Sequence, residues 1–275
     1  MLRLAVRVAR AEAELVLAEL LELAPGGVEE VDVDADTVEF AVYGAQGELP
    51  ELPDLRAAAA GAGGTLVSVS TTEVADDWAD RWRAFHRPLV IERGGAPRLT
   101  VRPPWEATAQ SGLDVVIDPG QAFGTGAHAT TSLCLELLLD QAARRGSCVD
   151  LGCGSGVLAI VAALLGHEPV LALDYDPLAV AATAENAQRA AVAIDVRRFD
   201  LRNEQVPPAD LVLANVLAGP LLGWAGSQCE LPPRLILSGL LVAEADRVSA
   251  AYVRRGMRET DRRTRGEWAA LALEV

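Results

Sequence analysis

Residues 150–156 (DLGCGSG) form a glycine-rich run that lies between two apolar segments, 148–151 and 157–165. Glycine is required where backbone must approach a ligand closely, because a Cβ atom would obstruct the approach. A short apolar segment, a glycine-rich turn and a longer apolar segment predict a strand, a ligand-binding turn and a helix, in that order. Several kinds of nucleotide-binding protein share such a turn, so the ligand has to be inferred from the neighbouring residues.

Details around the turn favour S-adenosylmethionine over a dinucleotide. The glycine spacing is GxGxG, with Gly152, Gly154 and Gly156, rather than the GxGxxG of dinucleotide sites. Asp174 ends the next predicted strand, where a carboxylate can accept hydrogen bonds from both ribose hydroxyls. Asp150 opens the turn, and an acid there can help to hold the α-ammonium group of the cofactor. A pyrophosphate would instead prefer basic donors, and the turn and following helix contain neither lysine nor arginine.

Beyond residue 114 the chain alternates short apolar segments with longer helical ones. Strands rich in Val, Leu and Ile that are separated by helices indicate a parallel sheet with both faces covered. We therefore expect an α/β domain over residues 111–275, Rossmann-like and of the class I methyltransferase type. Its predicted strands are 148–151, 170–173, 195–198, 211–214 and 234–238, and two of its predicted helices are 157–165 and 177–190.

Residues 1–75 have a different pattern, which predicts a small ferredoxin-like α+β domain with the order βαββαβ. Residues 76–110 are expected to link the two domains through a short helix followed by two extended segments. The helix carries Trp78, Trp82 and Phe85 at i, i+4 and i+7, a stripe typical of packing against a neighbouring element. The predicted strands of the first domain are 2–9, 28–33, 37–43 and 65–71, and its predicted helices are 11–23 and 53–60.

The charge distribution bears on the class of partner. The net charge is −15, which repels a polyanion at long range, so naked DNA or RNA is a poor candidate substrate. Residues 1–75 carry four arginines against fourteen acidic residues, so most of the excess negative charge lies in the N-terminal domain. An acidic domain beside a catalytic one suggests a basic partner, although a solubilising surface explains the same composition.

Cysteine spacing and hydropathy exclude several other classes of protein. The four cysteines show no CxxC spacing and are not accompanied by paired histidines, so we expect neither a metal nor a disulfide framework. No apolar run approaches the roughly 18 to 20 residues that a membrane helix needs. Arg3, Arg7 and Arg10 interrupt what would be the apolar core of a secretion signal. We therefore expect a cytoplasmic protein that does not contact a membrane, and we expect a monomer.

Asn215 follows the predicted strand 211–214, at the carboxyl edge where open α/β sheets bind ligands. Its side-chain oxygen can orient an attacking amine and stabilise the positive charge that forms as the amine gains a methyl group. An asparagine that caps a loop is the alternative interpretation. His128 lies in a glycine-rich stretch and could act as a general base, whereas a structural hydrogen bond is the interpretation that we favour.

Besides the glycine turn, the sequence contains several short motifs: residues 118–136 (DPGQAFGTGAHATTSLCLE), 215–221 (NVLAGPL), 237–241 (LSGLL), Trp78, Trp82 and the pair Pro104-Trp105. Together these motifs closely resemble the methyltransferases of large-subunit ribosomal protein eleven, the family known as PrmA. The resemblance covers residues 76–275 well. Over residues 1–75 the resemblance is limited to the general pattern of a small N-terminal domain, and no specific motif can be matched.

The resemblance implies S-adenosylmethionine contacts from Thr131, Gly152, Asp174 and Asn215, with Phe123, Gly124 and Gly126 lining the same pocket. It also implies that the N-terminal domain recognises ribosomal protein eleven, free or on the ribosome, whose α-amino group and lysine side chains become methylated. Two positions depart from the family pattern. These are Ala129, where proline is usual, and Gln121, where an apolar residue is common.

The expected reaction is direct displacement, in which an uncharged amine positioned by Asn215 attacks the methyl group in line. A nicotinamide-dependent dehydrogenase can use the same fold, but the GxGxG spacing disfavours it. A non-catalytic protein that has kept the cofactor pocket is a second alternative. A methyltransferase that acts on another protein or on a small molecule is a third, because residues 1–75 carry the weakest match.

Overall fold

The computed structural model describes residues 2–13, 16–17, 20, 28–34, 36–44, 49, 66–73, 87–93, 96–118 and 128–275. The chain divides into two compact units, residues 1–85 and 86–275. Among the residues that the structure describes, no helix is long and apolar enough to cross a membrane. The same residues contain no cluster of three or more side chains suited to hold a metal ion.

The described strands of the first unit are β1 (Leu2–Ala9), β2 (Glu29–Asp32), β3 (Thr37–Gly44) and β4 (Leu66–Glu73). They form an antiparallel sheet in the order β2-β3-β1-β4. Val6, Val8 and Phe40 on the two central strands pack against Val16 and Leu20 to form the core of the unit. The predicted helix 53–60 lies outside the described residues, so the ferredoxin-like assignment stays a prediction.

The second unit contains two sheets and the helices that cover them. The predicted linker helix 76–86 lies outside the described residues, and the two extended segments after it are the first two strands of the smaller sheet. The described elements are β5 (Leu89–Arg93), β6 (Ala96–Arg102), β7 (Leu113–Val116), α1 (Ala129–Asp140), β8 (Cys148–Leu151), α2 (Val157–Leu164), β9 (Val170–Asp174), α3 (Pro177–Arg189), β10 (Asp195–Arg198), β11 (Leu211–Asn215), α4 (Ala218–Ser227), β12 (Arg234–Leu241), α5 (Val242–Val253), β13 (Arg258–Arg265) and β14 (Trp268–Glu274).

The larger sheet has seven strands in the order β10-β9-β8-β11-β12-β14-β13. The first five strands in this order, β10, β9, β8, β11 and β12, are parallel, and β14 lies antiparallel between β12 and β13. Strands β9 and β10 lie on one side of β8, whereas β11 and the strands that follow it lie on the other side. The strand order therefore reverses between β8 and β11. In open α/β sheets, ligands bind at such a reversal, outside the carboxyl ends of the strands. The topology confirms the predicted Rossmann-like fold and places the glycine turn at the expected edge.

The core of the second unit is built mainly from continuous apolar strands and one helix that is almost wholly buried. Every residue of β8 is buried, and so are the first four residues of β11, as expected for central strands covered on both faces. Helix α1 buries nine of its twelve residues, because its leucines face neighbours on nearly every side. The predicted strands and helices of this domain all occur, with ends that differ by at most three residues; β12 continues to Leu241.

Candidate cofactor and active site

The turn between β8 and α2 holds three glycines in a left-handed conformation. Gly152, Gly154 and Gly156 have φ angles of 71°, 54° and 82°, a region that other residues rarely occupy. A Cβ atom on Gly152 would lie 2.4 Å from Val216 Cγ1, and one on Gly156 would lie 2.8 Å from Thr183 Cγ2. Both the backbone path and the close approach of neighbouring elements therefore require glycine in this turn.

Asp174 connects the end of β9 to the glycine turn. Its Oδ2 accepts a hydrogen bond of 3.0 Å from the Gly154 N–H, and its Oδ1 accepts one of 2.9 Å from the Asp176 N–H. An ionised carboxylate offers about four lone-pair sites, so it can accept two further hydrogen bonds. Asp174 is partly exposed, and a ligand with two adjacent hydroxyl groups can reach it.

Helix α3 holds the turn from the side through two buried polar residues. Thr183 Oγ1 donates to the Gly154 carbonyl at 2.9 Å, and Asn186 Nδ2 donates to the Ser155 carbonyl at 3.0 Å. The Oδ1 of Asn186 accepts a hydrogen bond of 3.1 Å from the Asp118 N–H. Asn186 therefore fixes the glycine turn and the start of segment 118–136 to the same point.

Asp150 lies beneath the turn and does not reach the surface. Its Oδ2 accepts a hydrogen bond of 3.0 Å from the Ala159 N–H, and its Oδ1 has no hydrogen-bond partner. Burial raises the pKa of Asp150 to about 7; the bond from Ala159 opposes this rise, and the charge of Asp174 adds to it. A direct contact with the amino-acid end of a cofactor, which the sequence led us to expect, does not fit this buried position. The carboxylate instead accepts a hydrogen bond from an N–H group in the first turn of α2.

Asn215 and Thr131 meet at the edge of the sheet although they lie far apart in the sequence. The Nδ2 of Asn215, at the end of β11, donates a hydrogen bond of 3.1 Å to Thr131 Oγ1, in the first turn of α1. Thr131 is buried, whereas Asn215 is partly exposed. The bond fixes the amide through its nitrogen, so the amide oxygen is the atom that can accept a hydrogen bond from a ligand.

His128 caps the helix that carries Thr131. Its Nδ1 accepts from the Thr130 N–H at 3.4 Å and lies 2.7 Å from Thr130 Oγ1, and its ring packs edge-on against Trp268 with centroids 4.9 Å apart. Burial lowers the pKa of His128, which favours the neutral ring at neutral pH. These contacts agree with the structural hydrogen bond that we favoured, because Nδ1 is already used as an acceptor at the helix terminus.

A family model described as "Ribosomal protein L11 methyltransferase (PrmA)" matches residues 4–275. The chain belongs to this family. The match includes nearly all of the N-terminal unit, where the sequence motifs alone were least informative. Together with the order of the seven-stranded sheet, membership of the PrmA family identifies the second unit as a class I methyltransferase domain.

Individual PrmA relatives agree with the family model. The chain is 40% identical over 203 residues to a ribosomal protein L11 methyltransferase from Heliobacterium modesticaldum, a match that covers 71% of this chain and 63% of that protein. It is 42% identical over 198 residues to the protein of the same name from Azotobacter vinelandii, over 69% of this chain and 66% of the relative. The chain thus spans slightly less than two thirds of the length of these two curated relatives.

A crystal structure of ribosomal protein L11 methylase from Lactobacillus delbrueckii subsp. bulgaricus is similar to this structure. Its TM-score is 0.56 at 28% identity, and the match covers 64% of this chain and 94% of that chain. The class I methyltransferase fold of the second unit is therefore supported both by its own topology and by the solved structure of a ribosomal protein L11 methylase.

The structure brings most of the predicted site residues to one edge of the sheet. The three glycines and Asp174 are directly bonded or adjacent, and Asn215 and Thr131 are bonded to each other. The remaining pocket residues, Phe123, Gly124 and Gly126, lie outside the described residues, as do Trp78 and Trp82. Sequence reasoning missed Thr183, Asn186 and Val216. The available signal for Thr183 and Asn186 was their spacing of three positions, which places them on one face of a helix.

Proposed function

We propose that the protein transfers methyl groups from S-adenosylmethionine to amino groups of ribosomal protein L11, namely lysine side chains and the N-terminal α-amine. The observation that carries the proposal is the juxtaposition, at the carboxyl edge of neighbouring strands, of a glycine turn, a carboxylate and an amide. The names of the PrmA relatives supply the acceptor. We further propose a monomeric, cytoplasmic enzyme.

The residues present fit S-adenosylmethionine. The left-handed glycines 152, 154 and 156 leave open backbone that a ligand can approach, and the carboxylate of Asp174 has unused acceptor sites for two ribose hydroxyls. Thr131 and Asn215 border the same edge, and we place Phe123, Gly124 and Gly126 in the same pocket by their match to the family motif. No basic side chain lies in residues 152–165, which suits a cofactor with positive charges better than a pyrophosphate. When bound, S-adenosylmethionine supplies an electrophilic methyl group on a positively charged sulfur whose leaving thioether is neutral.

The chemical task of the protein is to present a neutral amine in line with that methyl group. A free lysine has a pKa of about 10.4, and desolvation near the site lowers it. Asn215 Oδ1 accepts a hydrogen bond from the amine, which orients the nitrogen lone pair and stabilises the positive charge that develops there. Positioning of the two reactants supplies much of the rate, and the released proton passes to water. His128 is not assigned to the proton transfer, because its Nδ1 caps α1.

Recognition of the protein acceptor is assigned to residues 1–75. Their excess of acidic residues suits a basic partner, and Glu29, Glu30, Asp34 and Asp36 are exposed on and beside the edge strand β2. The same charge disfavours binding to naked nucleic acid.

Labelled S-adenosylmethionine and ribosomal proteins from a strain that lacks this gene test the proposal. The chain contains no lysine, so any methyl-lysine that forms must lie on an acceptor and not on the enzyme itself. We expect label on ribosomal protein L11 with the wild-type enzyme and little with Asn215→Ala. Label on a different ribosomal protein, or on a small molecule alone, would refute L11 as the acceptor.

A further inference from the structure

Three large apolar side chains are exposed where the chain leaves strands β11 and β12. The exposed fractions are 69% for Leu217, 38% for Leu241 and 45% for Val242. A single exposed apolar residue is normal on a protein surface, but a group of them beside a binding site indicates a contact surface. We call Leu217, Leu241 and Val242 the apolar rim.

Strand register brings the rim together. Asn215 and Ser238 are partners at the ends of the parallel strands β11 and β12. The chain then packs closely, since a Cβ atom on Gly239 would lie only 2.5 Å from the Val216 carbonyl oxygen. Leu217 follows Val216 directly, and Leu241 follows Gly239 by two residues. The rim therefore flanks the end of β11 that carries the catalytic amide.

Helix capping does not explain why the rim positions are apolar. Leu217 and Leu241 occupy the N-cap positions of α4 and α5, and neither side chain can accept a hydrogen bond from its helix; at α5, Glu244 Oε2 instead accepts one of 3.1 Å from the Leu241 N–H. Serine, threonine, aspartate and asparagine are strongly preferred at such positions, and an apolar cap is less stable than any of them. By contrast, the N-cap residues of α1 and α3, His128 and Asp176, accept hydrogen bonds from their helices through their own side chains. Two adjacent helices thus have an unfavourable cap residue at the one edge where the acceptor must arrive.

We propose that the apolar rim contacts the methylene stem of the acceptor lysine while Asn215 holds its nitrogen. This inference rests on the proposed function and adds a determinant of acceptor choice. A lysine stem has four methylene groups, and each one that leaves water contributes about 0.8 kcal/mol. Apolar surroundings also disfavour the ammonium form, so the rim promotes the neutral nucleophile. An N-terminal α-amine has no such stem and depends less on the rim.

The test compares lysine and α-amine methylation within one acceptor. Leu217→Ala, Leu241→Ala and Val242→Ala are made singly and together, and initial rates on ribosomal protein L11 are resolved by site with mass spectrometry. The matched control is Val253→Ala, because Val253 is 46% exposed at the opposite end of α5. Calorimetry with S-adenosylmethionine reports whether each variant retains its fold and cofactor site.

For the triple variant we expect kcat/KM at lysine sites to fall about tenfold, through a higher KM, from the loss of two methylene contacts. The α-amine rate should fall less than threefold, cofactor affinity should stay within twofold, and Val253→Ala should match wild type. Equal losses of kcat/KM at lysine and α-amine sites, or an unchanged rate at lysine sites, would refute the proposed role of the rim. A wild-type enzyme that leaves L11 unlabelled would instead refute the proposed function, and the rim with it.

Discussion

Replacement of Asp174 by alanine tests the part of the site on which cofactor binding depends most. The carboxylate accepts hydrogen bonds from Gly154 and Asp176, and in the proposed complex it also accepts two from the ribose. A hydrogen bond to a charged group contributes about 1.5–3 kcal/mol, so loss of the two ribose bonds should weaken binding by about 3–6 kcal/mol. This corresponds to roughly a 10²- to 10⁴-fold rise in Kd for S-adenosylmethionine.

Asp176→Ala is the matched control for this measurement. Asp176 lies two residues away and caps α3 by accepting a 2.8 Å hydrogen bond from the Leu178 N–H. Removal of the Asp176 side chain should lower the free energy of unfolding by about 1 kcal/mol. We expect a similar loss of stability in Asp174→Ala, which removes two partly exposed hydrogen bonds. Calorimetry and urea unfolding on both variants therefore separate affinity from stability. Unchanged cofactor affinity in Asp174→Ala, or an equal loss in Asp176→Ala, would mean that the ribose is held elsewhere.

Three further predictions concern the turn, the amide and the buried acid. Gly152→Ala should lower the free energy of unfolding by about 1–3 kcal/mol, because Gly152 has a left-handed backbone and an added Cβ would contact Val216. In urea titrations, the additional replacement Val216→Ala should restore part of this loss. Additive losses from the two substitutions would contradict the contact. Asn215→Ala should reduce single-turnover methyl transfer about 100-fold and change cofactor Kd less than tenfold, and a rate within threefold of wild type would exclude its positioning role. Because burial raises the pKa of Asp150 from 3.8 to about 7, its contribution to stability is full below pH 3.8 and is lost as the pH rises towards 7. Asp150→Asn, which has no charge to bury, should therefore gain stability relative to wild type as the pH is raised from 4 to 7, and a pH-independent difference would refute the assignment.

The sequence predicted most of the larger sheet because its central strands are apolar and bounded by helices. Strands β8 and β11 are buried on both faces, so their composition alone marks them. Strands β13 and β14 were not predicted; the eight residues of β13, RETDRRTR, contain no apolar residue and give no alternation. Strand β13 exists because β14 pairs with it over seven register positions, and its arginines form ion pairs with helix α1, for example Arg265 with Glu136. Such pairing is a tertiary effect that local composition does not reveal.

The sequence predicted the members of the candidate site but not their arrangement. Gly152, Asp174 and Asn215 were identified from their positions after strands, yet the bond between Asn215 and Thr131 joins residues 84 positions apart. The burial of Asp150 could not be read from the sequence either, since an acid that opens a glycine turn can point towards the ligand or into the core. The clamp by Asn186 depends on the packing of α3 against the turn, which the helical pattern alone does not specify.

A crystal structure with S-adenosylhomocysteine tests the central claim most directly. We predict that the ribose hydroxyls lie within hydrogen-bonding distance of the Asp174 carboxylate, about 2.7 Å. The amino-acid end should lie over the glycine turn, and the sulfur should face Asn215. A ligand that binds at another face of the domain, or one whose ribose has no contact with Asp174, would contradict the account.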